Sequence, residues 1–243
     1  MKKLIYILLF LGCDQLIEEN APLEANYYVE DGWEAFENKD YQLAHQYFSA
    51  TLVGGDNPFY PHAYVGLGWN CIYYANSQIG PSNASFRENQ RESAYDYFQL
   101  AKSKHEILNV NSDSELLQSY HDYLSGMTYY FSYKAIEMSD LFYSNNNEQD
   151  YWNDMVTYSD SLIYFSNILL EENSSYNFIH DELFDVNNIK WIRAQTYVRL
   201  NQIDQASIEA NSIQSLQSCL EEFPLVYCLN NCPGGNCSTF INP

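Results

Sequence analysis

A chain of 243 residues can bury one core of ordinary domain size. It carries 32 Asp and Glu against 11 Lys and Arg, a formal charge of −21, which opposes binding to nucleic-acid phosphates and to anionic lipid headgroups. No His-Glu-x-x-His, Gly-x-Ser-x-Gly or phosphate-loop motif occurs, so the chain reads as a non-enzyme that needs no cofactor and no metal.

Residues 1–12 have the layout of a secretory signal. Lys2 and Lys3 make a basic start, Leu4 to Leu11 an uncharged apolar run too short to span a bilayer as a helix, and Gly12-Cys13 follow at once. The ending Phe10-Leu11-Gly12-Cys13 resembles the lipobox of bacterial lipoproteins, with Phe10 where that family usually has Leu. The resemblance implies cleavage before Cys13, acylation of that cysteine, and a lipid anchor in the bacterial cell envelope, at the outer membrane, with either face open to it. An ordinary signal peptide with a chance cysteine is the alternative. Loss of Lys2 and Lys3 leaves nine basic residues, so the acyl chains rather than a basic patch would hold the membrane. Residues 13–26 are acidic and polar, contain Pro22, and read as a tether.

Residues 27–218 form the helical domain. Their apolar residues recur at three- and four-residue steps, with few of the alternations that strands need. Four helical hairpins are expected. The first runs from about Tyr27 to Val53 with a break at Asn38-Lys39-Asp40. The second starts after Pro61, pauses at Ile79-Gly80-Pro81-Ser82, and returns through a capping box at Ser85-Phe86-Arg87-Glu88 to about Leu108. Ser112-Asp113-Ser114-Glu115 opens the third, which breaks at Asn145-Asn146-Asn147 and returns from a cap at Asp150 to about Leu170. The fourth spans about Asn188 to Leu216 and turns near Asn201-Gln202. Glu171 to Val186, between the third and fourth, reads as irregular with room for one short helix.

Gly-Trp occurs at Gly32-Trp33 and Gly68-Trp69, and Ala-x-x-Tyr-Phe at Ala44–Phe48 and Ala94–Phe98, with a variant at Ser161–Phe165. These phrases, together with Tyr28, Tyr64, Leu67, Gly126, Tyr129, Ala194, Tyr197, Ala206 and Ala210, resemble the tetratricopeptide-repeat pattern. The resemblance covers roughly residues 27–216, without the strict 34-residue period of the family. It implies an all-α, right-handed superhelix of about four stacked hairpins, in which Gly and Ala admit a neighbouring aromatic ring. It also implies a concave groove lined by the first helix of each hairpin. Carried onto this chain, the register puts Trp33, Phe36, Val65, Trp69, Tyr73, Tyr123, Met127, Tyr130, Trp191 and Gln195 on that face. Such an aromatic groove suits a peptide segment or a sugar ring; a closed core of the same rings is the competing reading. The expected function is a lipid-anchored envelope scaffold that binds other envelope proteins, with a glycan- or nutrient-binding lipoprotein of an outer-membrane uptake system as the alternative.

Lesser signals read as structure. Gly66-Leu67-Gly68 begins a Gly-x-Gly pattern, but Cys71 takes the third position and no strand precedes it. Asn109-x-Asn111-x-Asp113-x-Glu115 lacks the glycine and distal Glu of a calcium loop. Histidines 45, 62, 105, 121 and 180 have no ligand spacing and are expected at surface or capping positions. Cys71 reads as a small buried side chain. Cys219, Cys228, Cys232 and Cys237 crowd the tail, residues 219–243, and two disulfides are expected there. Three pairings are open, and the Pro233-Gly234-Gly235-Asn236 turn makes Cys232–Cys237 the first to test.

Overall fold

The computed structural model describes residues 25–53, 60–108, 110, 113–145, 148–181 and 184–231. The signal, the lipobox with Cys13, residues 13–24 of the tether, Cys232, Cys237 and the turn between them lie outside the described residues. The described chain is all-α, as expected, with one isolated antiparallel bridge between Asn177 and Asp185. None of its helices is long and apolar enough to cross a membrane.

The helices are α1 (Ala25–Glu37), α2 (Tyr41–Thr51), α3 (Tyr60–Ser77), α4 (Ala84–Ile107), α5 (Ser114–Ser144), α6 (Gln149–Glu172), α7 (Val186–Arg199), α8 (Ile203–Asn211), α9 (Gln217–Glu222) and α10 (Leu225–Asn231). The first eight pack as consecutive pairs, α1–α2 through α7–α8. The second helix of each pair also meets the first helix of the next, and α1, α3, α5 and α7 lie against one another in that order.

The Gly and Phe positions make this arrangement possible. A Cβ on Gly32 of α1 would stand 2.6 Å from the Phe48 ring, and one on Gly66 of α3 2.5 Å from the same ring. Phe98 of α4 sits in the same way between Gly68 of α3, where the distance would be 2.5 Å, and Gly126 of α5. Each ring therefore locks its own pair to the next, and both are fully buried. Burying a Phe side chain stabilises by about 1.5–3 kcal/mol, so the two junctions are strong ones.

The third junction departs from the expected register. Ser161 and Phe165 are only partly buried, whereas Ser159, Leu162 and Ser166 face the interior. Phe165 instead stacks on Phe131 at 5.7 Å, at the α5–α6 contact. Arg193 of α7 fills the junction, donating from Nη1 to Ser166 Oγ (2.8 Å) and from Nε to Glu209 Oε1 of α8 (2.8 Å). Ala194, Ala206 and Ala210 are buried as the repeat pattern implies.

Several helix ends also differ from expectation. Asp40 caps α2 through Leu43 N–H at 3.1 Å, after Lys39 has turned the chain with a left-handed φ of 62°. Ser85 does not open a capping box: α4 already begins at Ala84, after a 3₁₀ turn over Pro81–Asn83. Asp113 caps α5 by accepting from Glu115 N–H and Leu116 N–H. Asp150 lies in the first turn of α6 rather than at its cap. The capping box that does form is at Asp185, which accepts from Asn188 N–H while the Asn188 side chain returns to the Asp185 backbone.

The helical body runs beyond residue 218. Cys219 of α9 is disulfide-bonded to Cys228 of α10, and Cys228 and Leu229 are buried against the body. Of the three open pairings, this disulfide belongs to the one that would join Cys232 to Cys237, two cysteines that lie outside the described residues. Cys71 is buried, as expected, and free.

Candidate functional site

The site follows from what covers the face formed by α1, α3 and α5. Among its described residues the connector from Asn173 to Asp185 contains no helix; it is drawn across this face and inserts Tyr176, Phe178 and Phe184, all with no exposed surface. Phe178 stacks on Trp69 at 4.6 Å, and Phe184 meets the same indole edge-on at 5.3 Å. His180 stacks on Trp33 at 3.7 Å with the rings nearly parallel, and its Nδ1 lies 2.9 Å from Glu37 Oε1. Tyr73 donates its hydroxyl to Asp181 Oδ2 at 2.7 Å.

The expected groove is therefore occupied by the chain itself. Phe36, Val65, Trp69, Tyr123 and Met127 are core residues. Tyr130 faces α4, where its ring stacks on Tyr95 at 4.9 Å and its hydroxyl donates to Glu92. Trp191 Nε1 and Gln195 Nε2 both donate to the Leu229 carbonyl, at 3.1 and 3.2 Å, and so lie under α10. Of the ten residues placed on the groove by register, Trp33 and Val65 line a cleft.

The cleft, of about 260 Å³, lies between α1, α3, α5 and the connector. Val29, Trp33, Val65 and Ile179 supply its apolar walls; Glu30, His62, Glu115, Gln118, Ser119 and Asp122 supply its polar ones, with His180 behind Trp33. Among the described residues no Lys or Arg lines it.

Asp122 is the deepest of these groups, with 3% of its surface exposed. Its backbone carbonyl accepts from Trp69 Nε1 at 2.9 Å and from Ser125 Oγ at 2.9 Å. Both hydrogen bonds to its carboxyl arrive at Oδ1, from Tyr176 OH and from Gln118 Nε2, each at 2.9 Å. Burial dominates its ionisation and pushes the pKa up to about 7, although those two donors favour the carboxylate. Burial acts oppositely on His62, lowering it to about 4 despite the nearby Asp113 charge, so His62 is neutral at pH 7. His105, behind the cleft, is lowered to about 3 by burial and by His62, and its Nε2 lies 3.3 Å from Ser119 Oγ.

Reading the sequence alone missed most of these residues. His105 and His121 are buried, and His62 is half-buried in the cleft wall, rather than at surface or capping positions. The one usable signal was Asp122 itself: it stands four residues before Gly126, hence on the packed face of α5, where a carboxylate is out of place. Nothing in the spacing of Ile179 or His180 connects them to α1. Among the described residues no group of His, Cys, Asp and Glu side chains could hold a metal ion. Compared with known protein families, curated proteins and solved structures, the chain matches none.

Proposed function

We propose that the chain is a tetratricopeptide-like scaffold, lipid-anchored at Cys13 in the bacterial envelope, which captures a segment of a partner protein at the cleft between α1, α3, α5 and the connector. The observation that carries this is the repeated junction in which Phe48 and Phe98 are each held between glycines of successive first helices. Stacking of that kind is how helical repeats build a binding face. The cleft is where this face stays open. Its volume lies just below the roughly 300–1,000 Å³ of small-molecule sites, and it suits a single anchoring side chain of a bound segment. The buried Trp69 and the His180-covered face of Trp33 leave no flat aromatic platform for a sugar ring, which favours a protein partner over a glycan.

Selection of displayed peptides on the full-length chain in detergent tests this reading. Enriched peptides should lose binding when Ile179, exposed at the rim of the cleft, is changed to Arg. Failure to enrich any peptide, or equal binding to Ile179→Arg, would refute it. Labelling cells with an alkyne analogue of palmitate should mark the chain but not its Cys13→Ser variant; no label on either would remove the anchor.

A further inference from the structure

A partly apolar cleft with a carboxylate at its base has a definite chemical complement. Asp122 is 97% removed from solvent, yet Oδ2 accepts no hydrogen bond from any described residue. Both protein donors are spent on Oδ1, so the second oxygen is left facing the cleft that Asp122 lines. Oδ2 is not sealed off: it keeps accessible surface, which a ligand in the cleft can reach. The groups around it are acceptors or neutral: Glu30 from α1, neutral His62 from α3, Glu115 on its own helix, and Tyr176 and His180 from the connector. The apolar walls of the cleft are Val29, Val65, Ile179 and the Trp33 indole, which suit a hydrocarbon stem.

We propose that the cleft is a socket for a Lys or Arg side chain of the partner, its stem along Val29, Val65 and Trp33 and its cationic head on Asp122 Oδ2. This rests on the cleft being the partner-binding site, and it adds the chemistry of the residue recognised. The chain's charge of −21 and the Glu30 and Glu115 side chains at the cleft would draw a cationic segment in. The buried carboxyl supplies the selectivity that surface acids lack.

A proton count accompanies binding. With its pKa near 7, Asp122 is about half protonated at pH 7, and a cation on Oδ2 requires the carboxylate. Binding therefore expels about 0.5 proton at pH 7, and affinity falls roughly tenfold between pH 8 and pH 6 as the free site becomes protonated. His62, at about 4, stays neutral throughout that range and does not contribute to the change.

The test uses the full-length chain in detergent and three probes: acetyl-Gly-Lys-Gly-amide, the same peptide with norleucine for Lys, and n-butylammonium. Calorimetry should show the Lys peptide binding at least tenfold tighter than the norleucine peptide, with that preference lost in Asp122→Asn. Should Asp122→Asn fail to fold, the wild-type protein still decides the matter: titration in two buffers of different ionisation enthalpy should reveal the expelled proton. Equal affinity for Lys and norleucine, or a Lys preference that survives Asp122→Asn, would overturn the proposal. The two readings separate cleanly. Displayed peptides that bind through the cleft without a cation preference leave the scaffold and sink the socket. Binding of n-butylammonium that depends on Asp122, with no peptide enriched, leaves the cation socket and sinks the protein partner.

Discussion

Replacing Gly66 by alanine adds one methyl group where there is no room for it. The new carbon would stand 2.5 Å from Phe48 Cε1, about 1 Å inside an ordinary contact. The ring cannot withdraw, because Gly32 backs it on the other side at a similar distance and the side chain is fully buried. Overpacking of this kind costs about 3 kcal/mol at the upper end of its usual range. Alanine in place of a helical glycine returns about 1 kcal/mol of backbone entropy. The expected net loss is about 2 kcal/mol, or a fall of roughly 4–8 °C in Tm for a chain of this size. Urea unfolding followed by helical circular dichroism measures it. Phe48→Leu, which frees space beside the new methyl, should restore part of the loss in the double variant, so that the cycle is non-additive by at least about 0.5 kcal/mol. A Gly66→Ala protein as stable as the parent, or two strictly additive substitutions, would refute the claim that this ring is clamped between glycines.

Two further substitutions probe what covers the helical face and what closes its end. Phe178→Ala removes a fully buried ring stacked on Trp69 and should cost about 3–5 kcal/mol, read as a lowered urea midpoint; a change under 1 kcal/mol would show the connector to be a removable strap rather than core. Replacing Cys219 and Cys228 together by Ser opens a short cross-link whose closure is worth about 2–3 kcal/mol. Amide exchange should then quicken in α9 and α10 while α3 and α5 keep their protection, and unchanged exchange in α10 would mean that packing under Leu229, not the disulfide, holds that end.

The order of the helices was readable from the chain because packing at the first two junctions follows a local rule. Gly32, Ala44 and Phe48, then Gly68, Ala94 and Phe98, announce close approach through residue size alone. Tyrosine and phenylalanine are so frequent in α6 that the same rule chose Ser161 and Phe165, each one position before Leu162 and Ser166, which face inward. Nothing in residue size foretold that an arginine would fill that junction. The candidate site was nearly invisible for another reason. Asn173–Asp185 has neither helical nor strand periodicity, so its aromatic residues gave no sign of where they would be buried. Only tertiary structure brings Ile179 and His180 against Trp33, or selects Cys219–Cys228 from the possible pairings.

The buried connector also changes how the molecule should come apart. In a stack of repeats where each unit touches only its neighbours, unfolding can begin at an end and spread unit by unit. Here His180 reaches Glu37 across 143 positions of sequence, and Tyr73 reaches Asp181 across 108. The first pair cannot peel away without uncovering the connector, and the connector cannot leave without exposing Trp69. Contacts so distant in sequence slow the assembly of the native state, because the loop they close must be ordered first. In return they bind α1 through α7 into a single cooperative unit, in which a helical pair cannot be added or removed without breaking the fit.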